Sequence, residues 1–167
     1  MNNIEQIIND LTLEEKVSLL SGFNSWYTNK IERKSIPSIK MSDGPNGVRG
    51  DSNSGKSSAC FPCAISIGSS WDLDQVKKIG VALGEEAQAK NVDVLLGPTI
   101  NIHRHPLGGR HFESFSEDPF LTGKIASNYV QGVQSQNVAA CLKHFVGNDT
   151  EFELSLIHIS EPTRLHG

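Results

Sequence analysis

Cysteine is scarce in this 167-residue chain: Cys60, Cys63 and Cys141 are an odd number and too few to staple a small fold, which excludes a disulfide scaffold. Positive charge is scarce too. Fifteen Lys and Arg against nineteen Asp and Glu leave a formal charge of −4, with no basic excess to hold a nucleic-acid backbone or an anionic membrane surface. Neither partner is expected. No stretch reaches the roughly 18 consecutive apolar residues that span a bilayer. Met1 to Asp10 lacks the positive start and apolar core of a secretory leader, so a cytoplasmic location is expected. What is present, 37% hydrophobic and 20% charged residues, belongs to an ordinary folded domain rather than a disordered chain. One domain is expected, and a complete eight-stranded β/α barrel of about 250 residues does not fit.

Ile4, Ile7, Ile8 and Leu11 recur at helical spacing, and Thr12-Leu13-Glu14-Glu15 offers a capping box at the start of a second helix through Val17 and Leu20. From Ser21 to Ser58 the chain is rich in Gly, Asn and Ser. It contains one short apolar piece, Ile36 to Met41, which ends in Ser42-Asp43-Gly44-Pro45-Asn46-Gly47 and reads as a strand opening into a long loop. Asp72 can cap a helix with Val76, Ile79, Leu83 and Ala87 on its apolar side and Glu85 and Glu86 on its polar side. Val92 to Leu96 then reads as a buried strand. Gly97 to Asp118, without periodicity and carrying three histidines, reads as a loop too long to be a mere connector. Leu121, Ile125, Tyr129 and Val133 mark another amphipathic helix, and Val138 to Leu142 a third short strand. Strand, loop, helix, strand is the alternation of a parallel sheet, in which polar residues just past the strand ends face the ligand side. Asp43, the stretch His103 to Arg110, and Lys143 with His144 occupy such positions.

Several residues there could carry chemistry. His103, His105, His111 and Glu113 could ligate a metal, but no partner cluster fixes four positions, and no metal is expected. Gly108 and Gly109 with Arg104 and Arg110 could cradle an anion, although the spacing matches neither the Walker loop nor the dinucleotide fingerprint. Arg104 reads more simply as a brace on loop carbonyls. Cys60-Phe61-Pro62-Cys63 has redox-pair spacing with apolar middle residues, and reads as a buried structural pair. Asp43, between a strand and Gly44-Pro45, is either an Asx-turn residue or a ligand-binding carboxylate. Lys143-His144 ends an apolar strand with two polar side chains, which a polar ligand would explain.

Ser42-Asp43-Gly44-Pro45-Asn46-Gly47-Val48-Arg49, Phe61-Pro62, Leu96-Gly97-Pro98, Asn101-Ile102, Pro106-Leu107-Gly108-Gly109-Arg110-His111-Phe112-Glu113-Ser114-Phe115-Ser116-Glu117-Asp118-Pro119 and Lys143-His144-Phe145 occur in one order and spacing. Together they resemble the start of a glycoside hydrolase family 3 enzyme, from about Leu11 to Glu153. The β-glucosidase branch is the more similar, because Val146-Gly147-Asn148-Asp149 follows Lys143-His144-Phe145 where the β-N-acetylhexosaminidase branch carries a histidine-bearing loop. The resemblance implies an α/β fold, the first three or so β/α units of a (β/α)8 TIM-type barrel. It also implies a retaining β-glucosidase parent, acting on terminal non-reducing β-D-glucosyl residues without a cofactor. Asp43, Arg110, Lys143 and His144 match positions that hydrogen-bond sugar hydroxyls, and Arg49 and Glu113 match positions suited to orienting Asp43 and Arg110. Retention needs two carboxyl groups about 5 to 5.5 Å apart. The family's nucleophilic Asp and its acid/base lie in regions that this chain does not match, so the chain alone is expected to be inactive. A sugar-binding module without catalysis, and a phosphate- or nucleotide-binding α/β domain built on Gly108-Gly109-Arg110, remain as alternatives.

Residues 154–167 stand apart. Leu154-Ser155-Leu156-Ile157-His158-Ile159-Ser160-Glu161-Pro162-Thr163-Arg164 looks like the translation of a transposase adapter used in sequencing libraries. The division expected is therefore 1–153 as the amino-terminal part of a barrel domain and 154–167 as a non-native tail. A genuine amphipathic strand is the other reading of the tail.

Overall fold

The computed structural model describes residues 3–50 and 56–150; the expected boundary at Glu153 and the tail beyond it lie outside the described residues. Helices α1 (Asn3–Asp10) and α2 (Leu13–Leu19) form where the apolar spacing and Thr12 predict. The capping box is complete. The Thr12 hydroxyl accepts from the Glu15 N–H at 3.2 Å while the Glu15 carboxylate accepts from the Thr12 N–H at 2.9 Å, which satisfies two amides that no helical carbonyl reaches. Leu11 is buried, but Ile4, Ile8, Val17 and Leu20 stay exposed. The amphipathic faces therefore form without being covered among the described residues.

Strands β1 (Met41–Asp43), β2 (Val94–Leu96) and β3 (Ala139–Ala140) make one parallel sheet in that order. Met41 stands opposite Val94, Asp43 opposite Leu96, and Val94 opposite Ala139. The first strand starts later than the apolar run Ile36 to Met41 predicts. Ile36 closes an antiparallel bridge with Ile31, and Lys40 one with Tyr27. Apolar alternation marks burial but not the pairing partner, and the ladder begins only where Val94 comes alongside. The predicted strand Val138 to Leu142 is regular only at Ala139–Ala140. Past it, bonding continues irregularly, with Lys143 N–H donating to Pro98 O at 3.0 Å and Ile100 N–H to Lys143 O at 2.7 Å, so Lys143 is delivered to the carboxyl edge of the sheet.

Between β1 and β2 run α3 (Ala64–Ser69) and α4 (Leu73–Ala89). At six residues, α3 is too short for a helical apolar period to show in the sequence. Asp72 caps α4 by accepting the Gln75 N–H at 2.9 Å. Helix α5 (Pro119–Gln134) joins β2 to β3, with Asp118 accepting the Phe120 N–H at 2.9 Å and Pro119 in the first turn, where its missing N–H costs nothing. The backbones of α4 and α5 meet at two glycines: a Cβ on Gly80 would lie 2.4 Å from Tyr129 O, and one on Gly132 would lie 2.4 Å from Lys77 O. Leu83 of α4 and Ile125 and Val133 of α5 share one core with Leu95 of β2, all fully buried, each worth about 1.5–3 kcal/mol of transfer free energy. Beside α5, Ile102, Ala126, Val130 and Leu142 line an open apolar groove of about 460 Å³. Among the described residues no helix is long and apolar enough to cross a membrane.

Candidate functional site

The chain turns sharply where β1 ends. Gly44 has φ of +124°, and a Cβ there would sit 1.7 Å from Gly47 O, so only glycine lets the backbone fold back immediately after Asp43. The Arg49 N–H donates to Asp43 O at 3.0 Å across this turn. From α5, the Tyr129 hydroxyl donates to Pro45 O at 2.7 Å, and burial pushes the phenol pKa upward, keeping it a donor. The return of the loop is clamped by α4. The Glu86 carboxylate accepts the N–H of Val48 at 2.9 Å and of Ala59 at 2.7 Å, and faces Lys90 Nζ at 3.3 Å. Lys90 in turn donates to Val48 O and Ser58 Oγ. Helical periodicity puts Glu86 on the polar side of α4, but its side chain is only 16% exposed. The loop covers it, and nothing local in the sequence announces that long-range return.

The carboxyl edge of the sheet opens into a cavity of about 420 Å³ bordered by Asp43, Arg49, Cys60, Arg110, Glu113 and Lys143. Its charges are interleaved. Asp43 Oδ1 accepts from Lys143 Nζ at 3.3 Å, and Asp43 Oδ2 lies 3.8 Å from an Arg49 nitrogen. Glu113 binds Arg110 with both oxygens, at 2.7 and 3.0 Å, and lies 3.7 Å from Lys143 Nζ. A short 3₁₀ turn, His111–Glu113, sets Glu113 three residues after Arg110, close enough for the fork-on-fork pair. Five of the six residues singled out in the sequence thus meet around one cavity. His144 is the sixth and is not among the lining residues; its N–H donates to Asn101 Oδ1 at 2.8 Å.

The histidine-bearing loop is braced from within. The His103 Nε2–H is shared between His111 O at 2.8 Å and Ser114 O at 3.0 Å, and His111 Nε2 faces Asp149 O at 3.0 Å. Nitrogens aimed at carbonyl oxygens act as donors, not as metal ligands, and among the described residues no three His, Cys, Asp or Glu gather as a metal would require. The Gly108 N–H donates to His105 O at 3.0 Å, so that amide and the Arg110 guanidinium are both engaged inside the loop. Arg104 braces a carboxylate rather than loop carbonyls, pairing with Asp149 at 2.9 Å. The Ile102 N–H and then Arg104 hold the Asp149 carboxyl below the usual carboxylate range. The cysteines do not form the expected buried pair. Cys60 is exposed on the cavity wall and Cys63 is half-buried, both as free thiols, because the chain turns between them to begin α3 with Cys63 at its N-cap.

Comparison with known proteins matches residues 1–163 to the glycosyl hydrolase family 3 N-terminal domain. Beta-glucosidase B of Emericella nidulans is 53% identical over 149 residues, covering 89% of this chain and 18% of the relative. Thermostable beta-glucosidase B of Acetivibrio thermocellus is 50% identical over 157 residues, covering 89% and 21%. Among solved structures, the beta-glucosidase of Kluyveromyces marxianus in complex with glucose superposes with a TM-score of 0.84 at 48% identity, covering 89% of this chain and 18% of that one. The chain therefore spans about a fifth of the length of these relatives.

Proposed function

The chain belongs to glycosyl hydrolase family 3, and from that membership we propose that its cavity is the sugar-binding half of the active site of a retaining β-glucosidase. The observation that carries the reading is the interleaving of Lys143, Arg49 and Arg110 with Asp43 and Glu113 around one open cavity. A hexose is neutral and rich in hydroxyls, so it is best met by donors and acceptors side by side rather than by unbalanced charge. Asp43 accepts hydroxyl protons, Lys143 and Arg110 donate to hydroxyl oxygens, and His144 adds a contact from the residue after Lys143. Arg49 holds Asp43, and Glu113 holds Arg110, in the orientations this requires. A phosphate site would instead leave its cations unpaired.

Neither carboxylate at the cavity matches the family's nucleophile position, so neither is assigned as nucleophile or acid/base of the retaining pair. Those groups come from the remainder of the parent protein, and this chain alone is inactive. In the same reading the three strands open a (β/α)8-type barrel. The apolar groove beside α5 and the outer edge of β3, which pairs only with β2 among the described residues, are the seat of the next β/α unit. The deciding measurement is hydrolysis of an aryl β-glucoside, absent from this chain and present once the carboxyl-terminal remainder is joined to it. Hydrolysis by the chain alone, or none by the completed protein, refutes the reading.

A further inference from the structure

Asn101 is a polar residue on the loop after β2, only 5% exposed and not among the residues that line the cavity. Its Oδ1 accepts the backbone N–H of His144 at 2.8 Å, and its Nδ2 donates to the backbone carbonyl of the same residue at 3.3 Å. Its side chain also hydrogen-bonds the Asp149 carboxylate, to which it can only donate. Reversing the amide would set oxygen against two oxygens and nitrogen against an N–H, so which end is oxygen follows from the surrounding bonds. The same Oδ1 lies 3.3 Å from His144 Nδ1. An amide oxygen only accepts, so this contact is a hydrogen bond only while Nδ1 carries the proton.

We infer that Asn101 is a positioning residue that fixes His144 as the Nδ1–H tautomer, so that Nε2 bears the lone pair of the neutral ring. A free histidine side chain prefers its proton on Nε2, so the arrangement requires a partner that overrides that preference. Asn148 offers an amide nitrogen to the same Nδ1 at 3.5 Å and favours the opposite tautomer. Asn101 prevails because its contact is shorter and its amide is immobilised by two backbone bonds to the residue it orients. Arg110 and Lys143 can only donate, whereas Nε2 of this tautomer is by its chemistry an acceptor, the complement a hydroxyl proton requires. That consequence rests on the proposed sugar site; the tautomer itself does not.

Long-range proton–nitrogen NMR of the histidine-labelled 167-residue chain, at a pH where the ring is neutral, reads the proton on each ring nitrogen, with His144 assigned through His144→Gln. The expected result is protonated Nδ1 and bare Nε2 in the unsubstituted chain and in Asn148→Ala. Asn101→Leu shifts the tautomer ratio toward Nε2–H by about tenfold, the effect of one hydrogen bond of ordinary net strength. Asn101→Asp, which keeps an acceptor oxygen in place, retains Nδ1–H. A bare Nδ1 in the unsubstituted chain overturns the inference whatever the variants do, as does Asn101→Leu keeping Nδ1–H or Asn148→Ala losing it. Glucose titration of the same sample separates the two readings. The stated tautomer without glucose binding refutes the sugar site alone, and glucose binding with the opposite tautomer refutes the role of Asn101 alone.

Discussion

Replacing Glu86 by alanine removes the clamp that holds the Val48 to Ala59 return of the cavity loop against α4. Three losses follow, of unequal size. The Val48 N–H belongs to a residue with no exposed surface and loses a charged acceptor at 2.9 Å, a loss of about 1.5–3 kcal/mol. The Ala59 N–H loses its bond at 2.7 Å but sits on an exposed residue where water substitutes, at about 0.5 kcal/mol. Lys90, its side chain 3% exposed, loses its countercharge while keeping Val48 O and Ser58 Oγ, which puts its share at about 1–2 kcal/mol, below the cost of a fully orphaned buried ion. Together these loosen the loop by about 3–5 kcal/mol, or at least a hundredfold in local opening. Amide hydrogen exchange reads this at Arg49 and Phe61, whose N–H groups bond within the loop to Asp43 O at 3.0 Å and Asn46 O at 2.8 Å. Ile100 and Lys143, bonded to each other's strand extension, serve as the distant control. Protection at Arg49 and Phe61 is expected to fall at least a hundredfold with the controls unchanged. A change under about threefold, or an equal fall at all four amides, refutes a local clamp.

Three further outcomes follow from the same geometry. Tyr129→Phe strips Pro45 O of its donor at 2.7 Å and lowers Arg49 protection in the same exchange experiment by about tenfold, less than Glu86→Ala does. Asp149, whose carboxyl is held below its ordinary value of 3.8 by the Ile102 N–H and Arg104, contributes stability that is complete above 3.8 and is lost as pH falls through the lower folded-state value. Protection of the Ile102 amide therefore shows an acid step that Asp149→Asn abolishes, and a flat profile in the unsubstituted chain contradicts it. Glu113→Gln keeps the side-chain shape but weakens the two-point grip on Arg110 at 2.7 and 3.0 Å. It lowers glucose affinity by about tenfold in calorimetry; unchanged affinity shows that Arg110 is oriented by other means.

What the sequence reveals and what it hides divide along physical lines. Thr12, Asp72 and Asp118 announce helix starts because a cap is local chemistry, complete within three residues. The beginning of β1 is not legible from Ile36 to Met41, because the strand is defined by Val94, far along the chain. Helix α3 escapes notice because six residues are too few for the helical apolar period to declare itself. In the site, Asp43, Arg110 and Lys143 are visible as charges past strand ends, whereas Arg49 and Glu113 come forward as orienting residues only through the family resemblance. Glu86 and Asn101 are hidden for a shared reason. Each is an unremarkable polar residue in its local pattern, and each acquires its role only from a backbone amide dozens of positions away that tertiary folding brings to it.

Asp43 and Lys143 are separated by 100 positions in the chain, and Arg110 and Glu113 enter from a loop between them. Arg110 and Glu113 pair locally, three residues apart, but Asp43 and Lys143 meet only when β1 and β3 have both paired with β2. A sugar that binds the assembled cavity and not its separate parts acts as a folding ligand, adding about 2.7 kcal/mol at a hundred times its Kd. Its grip then extends beyond the residues it touches, to the pairing of β3 with β2 and the seating of α5 on α4. On the proposed sugar site, saturating monosaccharide would consolidate this portion of the fold from its open edge.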